Sequence, residues 1–106
     1  MNPTTISWVD PTTNTDGSEI NPAEITGYEI GARNVNAAGS VAGTYPITAN
    51  VPAGSTSAPL SVLGPLPAGD YAGAARALGP NDSGWSTEAT FTIAPVPASP
   101  TGFTVA

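Results

Sequence analysis

The sequence predicts an all-β protein, an antiparallel β-sandwich with an extended C-terminal arm. Three observations carry that reading. Gly and Pro each occur 12 times in 106 residues, and both interrupt helices, glycine through backbone entropy and proline through its missing amide hydrogen. Short segments alternate apolar and polar residues with the two-residue period of a half-buried strand. Turn signals separate these segments every ~8 to 12 residues, the spacing of a sandwich. A helical bundle is excluded, and a chain of this length builds one core, so two independent domains are excluded as well.

Residues 5–9 (TISWV) place Ile6 and Trp8 on one parity and are followed by Asp10, Pro11 and a polar run ending Asp16-Gly17, a strand and then a loop. Residues 26–33 (TGYEIGAR) put Tyr28, Ile30 and Ala32 on one face and Glu29 and Arg33 on the other, the clearest strand in the chain. Residues 45–51 read as a short edge strand, because Pro46 disfavours a central position. After the turn residues Pro52-Ala53-Gly54, residues 58–63 (APLSVL) read as a strand with Leu60 and Val62 inward, stopped by Gly64-Pro65. The alanines of residues 71–78 (YAGAARAL) suit a helix, but Gly69, Gly73 and Gly79-Pro80 argue for a strand. Its small residues Gly73, Ala75 and Ala77 then make room for Trp8 across the core. Residues 86–93 alternate Phe91 and Ile93 as the last strand. Pro95, Pro97 and Pro100 turn the C-terminal residues into an extended linker. The chain thus divides into a sandwich over residues 1–93 and an arm over residues 94–106, with no internal repeat.

Eight acidic residues against Arg33 and Arg76 give a net charge of −6, so a polyphosphate partner meets repulsion and nucleic acid is not expected. No apolar run reaches the ~18 residues of a membrane-spanning helix. The start MNPTTISWVD has neither the basic nor the apolar part of a secretory signal. Synthesis without export is the simpler expectation. Lysine, histidine and cysteine are absent, which removes the Schiff-base amine, the near-neutral base, the thiolate and the main zinc ligands. The expectation is a protein that is not an enzyme and takes no cofactor.

Several constellations bear on chemistry. Asn14, Asp16, Ser18 and Glu19 have oxygen ligands for calcium, but a twelve-residue calcium loop would put Thr12 and Ala23 at its anchoring positions, and neither fits. These are also ordinary turn residues. Asp10, Asp16, Glu19 and Glu24 offer pairs of carboxylates without the aromatic-lined cleft a glycosidase needs. Arg33 and Arg76 fall outward beside Glu29, either as a local ion-pair cluster or as an anchor for an acidic partner surface. Trp85, in the turn DSGWST, either packs at the end of the sandwich core or meets a protein or a sugar.

Ile6-Ser7-Trp8, the loop to Asp16-Gly17, and Gly27-Tyr28-Glu29-Ile30 resemble strands B and C of fibronectin type III domains, an Ig-like sandwich family. Leu66-Pro67-Ala68-Gly69-Asp70-Tyr71 is similar to that family's tyrosine corner at the start of strand F, whose phenol bonds back to nearby backbone. Gly84-Trp85-Ser86 resembles its turn into strand G. The likeness spans residues 4–93 and implies the fold far more than a function, since the family is mostly adhesive or spacer modules without a shared catalytic site. Its integrin-binding RGD does not occur here.

One departure is informative. The family opens with a strand A, yet only residues 1–4 precede the strand that carries Trp8, while residues 99–106 (SPTGFTVA) resemble the linker and strand A that begin the next domain of a tandem array. Three fates are open to this arm: pairing with another chain, folding back on its own domain, or neither. In the first, Pro100, Gly102, Phe103 and Val105 are its contact residues, and Trp85, Arg33 and Arg76 are further partner-binding candidates on the domain. Head-to-tail donation would give a homo-oligomer or polymer. The resemblance extends to the fibronectin-like domains of tailed-phage virions and so implies a structural virion component, a capsid decoration or tail appendage, whose partners are proteins. The alternatives are a secreted, extracellular filament subunit built by donor-strand complementation, and a carbohydrate- or receptor-binding module using Trp85, Tyr45 and residues 34–43.

Overall fold

Alternation of apolar and polar residues along the chain produces six strands. A computed structural model describes residues 2–106 and places β1 (Thr5–Ser7), β2 (Gly27–Asn34), β3 (Ile47–Pro52), β4 (Ser57–Pro59), β5 (Gly69–Leu78) and β6 (Ala89–Ile93) in two antiparallel sheets. One sheet has four strands in the order β3-β2-β5-β6, and the other has two, β1 beside β4. Met1 lies outside the described residues.

The expected strands appear with shifted ends: the first stops at Ser7, the edge strand starts at Ile47 just after Pro46, and the last starts at Ala89. Residues 58–63 differ. Only Ser57–Pro59 is strand, and Leu60–Leu63 is a 3-10 helix that buries Leu60 and Leu63 in place of the Leu60 and Val62 alternation. A helix of three residues per turn puts positions i and i+3 on one side, so the leucines face the core together while Val62 is half-buried.

Tyr28, Ile30 and Ala32 of β2 are buried, with Val51 of β3, Ala58 of β4 and Tyr71 of β5. Trp8 packs on Tyr28 with ring centroids 5.4 Å apart, and it lies against the core with Ala75 and Ala77. The small residues of β5 therefore accommodate the indole as expected. The Tyr28 hydroxyl donates to Asp10. Burial, reinforced by that bond, pushes the Tyr28 phenol up to about 12. At the start of β5 the Tyr71 hydroxyl donates to the Pro67 carbonyl at 2.7 Å, the back-bond expected of residues 66–71.

Beyond Ile93 the chain has no regular structure and every residue of 94–106 is exposed. The Cα radius of gyration is 18.0 Å and the longest extent 73 Å, against ~13 Å for the radius of a compact chain of this length. The arm projects from the sandwich.

Candidate functional site

Two features were expected to carry contacts, the arm and the outward face around Arg33, Arg76 and Trp85. The structure separates them. They lie on different parts of the molecule, and a third feature that the sequence left undefined is the outer edge of β1.

In the β1–β4 pairing Ile6 lies opposite Ala58, and the Trp8 amide donates to Thr56 while the Leu60 amide donates to Thr4, both at 2.9 Å. Antiparallel ladders alternate bonded and non-bonded pairs, so Thr4, Ile6 and Trp8 direct their backbone groups to β4, and Thr5 and Ser7 direct theirs away from it. This also explains how Pro59 is tolerated in a strand: it lies opposite Thr5, in a pair that exchanges no ladder bond. Among the described residues no hydrogen bond reaches the backbone of Thr5 or Ser7 from the other side.

Beside that edge lies an open groove of about 350 Å³ between the sheets, lined by Ile6, Trp8, Leu60, Gly73, Ala75 and Phe91 among others. It is mainly apolar because these are the inward positions of β1, β5 and β6, with Trp8 just past β1 and Leu60 from the 3-10 helix. The Trp8 indole Nε1 is the one buried side-chain polar atom without a partner among the described residues. Trp8 is one of the residues that line this groove.

The arm supplies apolar groups with nothing to cover them. Phe103 is 89% exposed and Val105 86% exposed. Pro100 and Gly102 lie in the same exposed segment, which turns at Gly102 with a φ of +71°. The last strand and β1 meet at one pole, where the Ala94 amide donates to Asn2 Oδ1 at 2.8 Å, so the arm leaves the sandwich beside the start of β1.

The outward cluster is built on the other face of the four-stranded sheet. Glu29 and Arg76 are directly opposed on β2 and β5 and form an ion pair of 2.6 Å. Arg33 makes a two-pronged contact with Glu88, both bonds 2.8 Å, and Tyr45 donates to the same carboxylate at 2.8 Å. Those two donors hold the Glu88 carboxyl down at about 2, and the carboxylate in turn raises Arg33. Burial, then the bond to Glu88, raises the Tyr45 phenol. Tyr45 lies directly over Gly31, where an added Cβ would come within 2.7 Å of the ring. Trp85 meets Tyr45 edge-on at 4.7 Å, and the Arg76 guanidinium sits 5.0 Å from the Trp85 ring centre. Trp85 thus packs neither in the sandwich core nor free in solvent. It is half-buried in an outer-face cluster, where Arg76 is paired with Glu29 on the neighbouring strand and Arg33 with Glu88 just before β6.

Glu88 and Tyr45 were missed as members of this cluster. The signal available was the charge complement: two outward arginines on adjacent strands call for two outward acids, and only Glu29 was assigned. The polar loop before β2 closes on itself, with Asp16 Oδ1 accepting from the Ser18 amide and hydroxyl and with Thr13 bridged to Glu19. These bonds lower the Asp16 carboxyl. Comparison of the chain with protein-family models, curated proteins and solved structures finds no match.

Proposed function

We propose that the chain is a non-enzymatic structural module of the fibronectin type III kind, which works by joining neighbouring protein subunits in a larger assembly such as a phage capsid decoration or tail appendage. One observation carries the reading: a two-stranded sheet with an open edge coexists with an uncharged, projecting arm that holds Phe103 and Val105 in solvent. A two-stranded sheet is marginal by itself and gains from a third strand, and an exposed apolar arm gains from any groove that covers it. The residue chemistry supports the same reading, since the ionisable groups of the outer face are engaged with one another and the chain has no thiol, amine or imidazole side chain.

The test is the mass of the full chain by light scattering as concentration rises. Concentration-dependent association above the 10.5 kDa monomer supports assembly, and a mass that stays monomeric at every concentration removes the self-assembling form of the proposal.

A further inference from the structure

We infer that the free edge of β1 takes the C-terminal arm of a second copy of this chain as a third, antiparallel strand, with Phe103 and Val105 seated in the groove between β1 and β6. This rests on the assembly reading above and gives it a partner and a site.

The choice of strand depends on the edges available. β3 is flanked by Pro46 and carries Pro52, and β4 carries Pro59, so each is weakened as a ladder partner. The edges of β1 and β6 border the apolar groove, and direction decides between them. β1 starts, and β6 ends, at the pole where Asn2 meets Ala94. An arm that continues outward from this pole reaches the opposite pole of a copy stacked beyond it. It then runs toward that copy's own Asn2 pole, antiparallel to β1 and parallel to β6. Antiparallel pairing is the more stable of the two per residue. Folding back onto its own domain would instead require the arm to reverse, which sets it parallel to β1 and antiparallel to β6. The projecting arm of the structure has made no such reversal.

Parity fits this arrangement. Phe103 and Val105 share one face, and a register with Phe103 opposite Trp8 and Val105 opposite Ile6 puts both over the groove. Thr104 then falls opposite Ser7 and Ala106 opposite Thr5, so the unused amides and carbonyls of Thr5 and Ser7 meet residues that have amide hydrogens. A slip of one residue would turn Phe103 and Val105 out to solvent, which fixes the phase. Residues 94–100, extended at ~3.1 Å per residue, span ~20 Å, enough to separate two sandwiches stacked end to end. Residues 94–106 contain no charged side chain, so burying their side chains desolvates no charged group, although each copy carries a net charge of −6. The product is a head-to-tail chain of copies, open unless its rotation closes it into a ring.

The absence of cysteine makes the test direct. Chains with Ser7→Cys and chains with Thr104→Cys, both at exposed outward positions, are mixed in equal amounts, one isotopically labelled, and oxidised in a redox buffer. Donation yields the mixed dimer above its statistical share, and a statistical mixture overturns the inference. In the double variant donation yields a ladder of linked chains, whereas a disulfide closed within one chain places the arm on its own domain and overturns it. Phe103→Ala in the full chain weakens association by about 10- to 100-fold. If the chain associates but this variant does so equally well, arm donation fails and the assembly reading stands. If the unaltered chain never associates, arm donation fails together with the self-assembling form of the assembly reading.

Discussion

The two sheets of this sandwich enclose one core but are finished differently. The four-stranded sheet buries Tyr28, Ile30 and Ala32 on its inner face, and on its outer face two ion pairs, Tyr45 and Trp85 tie β2 and β5 to each other and to the segments that lead into β3 and β6. The two-stranded sheet pairs only three residues of β1 with three of β4, sets half-buried Ile6 opposite buried Ala58 as its inward pair, and leaves one side of β1 without a hydrogen bond among the described residues. The contrast teaches that the fold concentrates its stability in one sheet and leaves the other short of a strand. Polar groups respect the same division: the braced face satisfies its charges internally, whereas the orphan Trp8 Nε1 lies beside the open groove.

Removing matched side chains from the two sheets should separate their contributions to stability. Ile30→Ala should destabilise the monomer by about 2–5 kcal/mol, because a fully enclosed methyl-rich side chain leaves a cavity when truncated. Ile6→Ala removes a half-exposed side chain and should cost about 1–2 kcal/mol. Denaturant midpoints at low protein concentration measure both. Equal losses would mean that the short sheet is as well packed as the long one. If association occurs, Ile6→Ala should also weaken it, and Ile30→Ala should not do so beyond its effect on folding.

Two smaller changes probe how the braced sheet is held. Gly31→Val inserts a branched side chain where Tyr45 lies 2.7 Å from even a Cβ, and should cost about 1–3 kcal/mol by overpacking. Because Tyr45 carries its bond to Glu88 and its contact to Trp85, Trp85 fluorescence should shift with it. Tyr71→Phe deletes only the bond to the Pro67 carbonyl and should cost about 1 kcal/mol, read from the same midpoints. A loss well above that would indicate that this corner organises the 66–71 segment as a whole.

Much of the fold was legible because its main signal is local. Tyr28, Ile30 and Ala32 alternate with Glu29 and Arg33, and one two-residue period admits one face. The same reasoning failed at residues 58–63, where Ala58, Leu60, Val62 and Leu63 satisfy a period of two and a period of three almost equally. Burial of the Leu60–Leu63 pair settled the matter in three dimensions. The arm was legible from its prolines and from the matched parity of Phe103 and Val105. The β1 edge was only implied, because which backbone groups point outward depends on register with β4. Glu88 was hidden for the same reason: it precedes β6, and continuing the β5–β6 register sets it opposite Ala74, which itself faces Gly31. That row of small residues is what lets Tyr45 lie across the sheet, and no property of residue 88 alone announces it.

The smallest effect expected is a titration. The Glu88 carboxyl sits at about 2 in the fold against 4.5 ordinarily, a depressed value, so its contribution is complete above about 4.5 and is lost as pH falls through about 2. Glu88→Gln should therefore be less stable than the unaltered chain near neutral pH, and the gap should close as the solution is acidified across that window. Urea midpoints across the window measure it, and a gap that stays constant would mean the Arg33 and Tyr45 bonds do not distinguish the charged carboxylate. β1, β4 and residues 94–106 contain no acidic or basic side chain. Glu88→Gln should thus leave any pairing at the β1 edge unchanged near neutral pH, where both proteins remain folded. Association that weakened in step with the loss of the Glu88 charge would couple the outer face of one sheet to the open edge of the other, and the two could no longer be treated as independent.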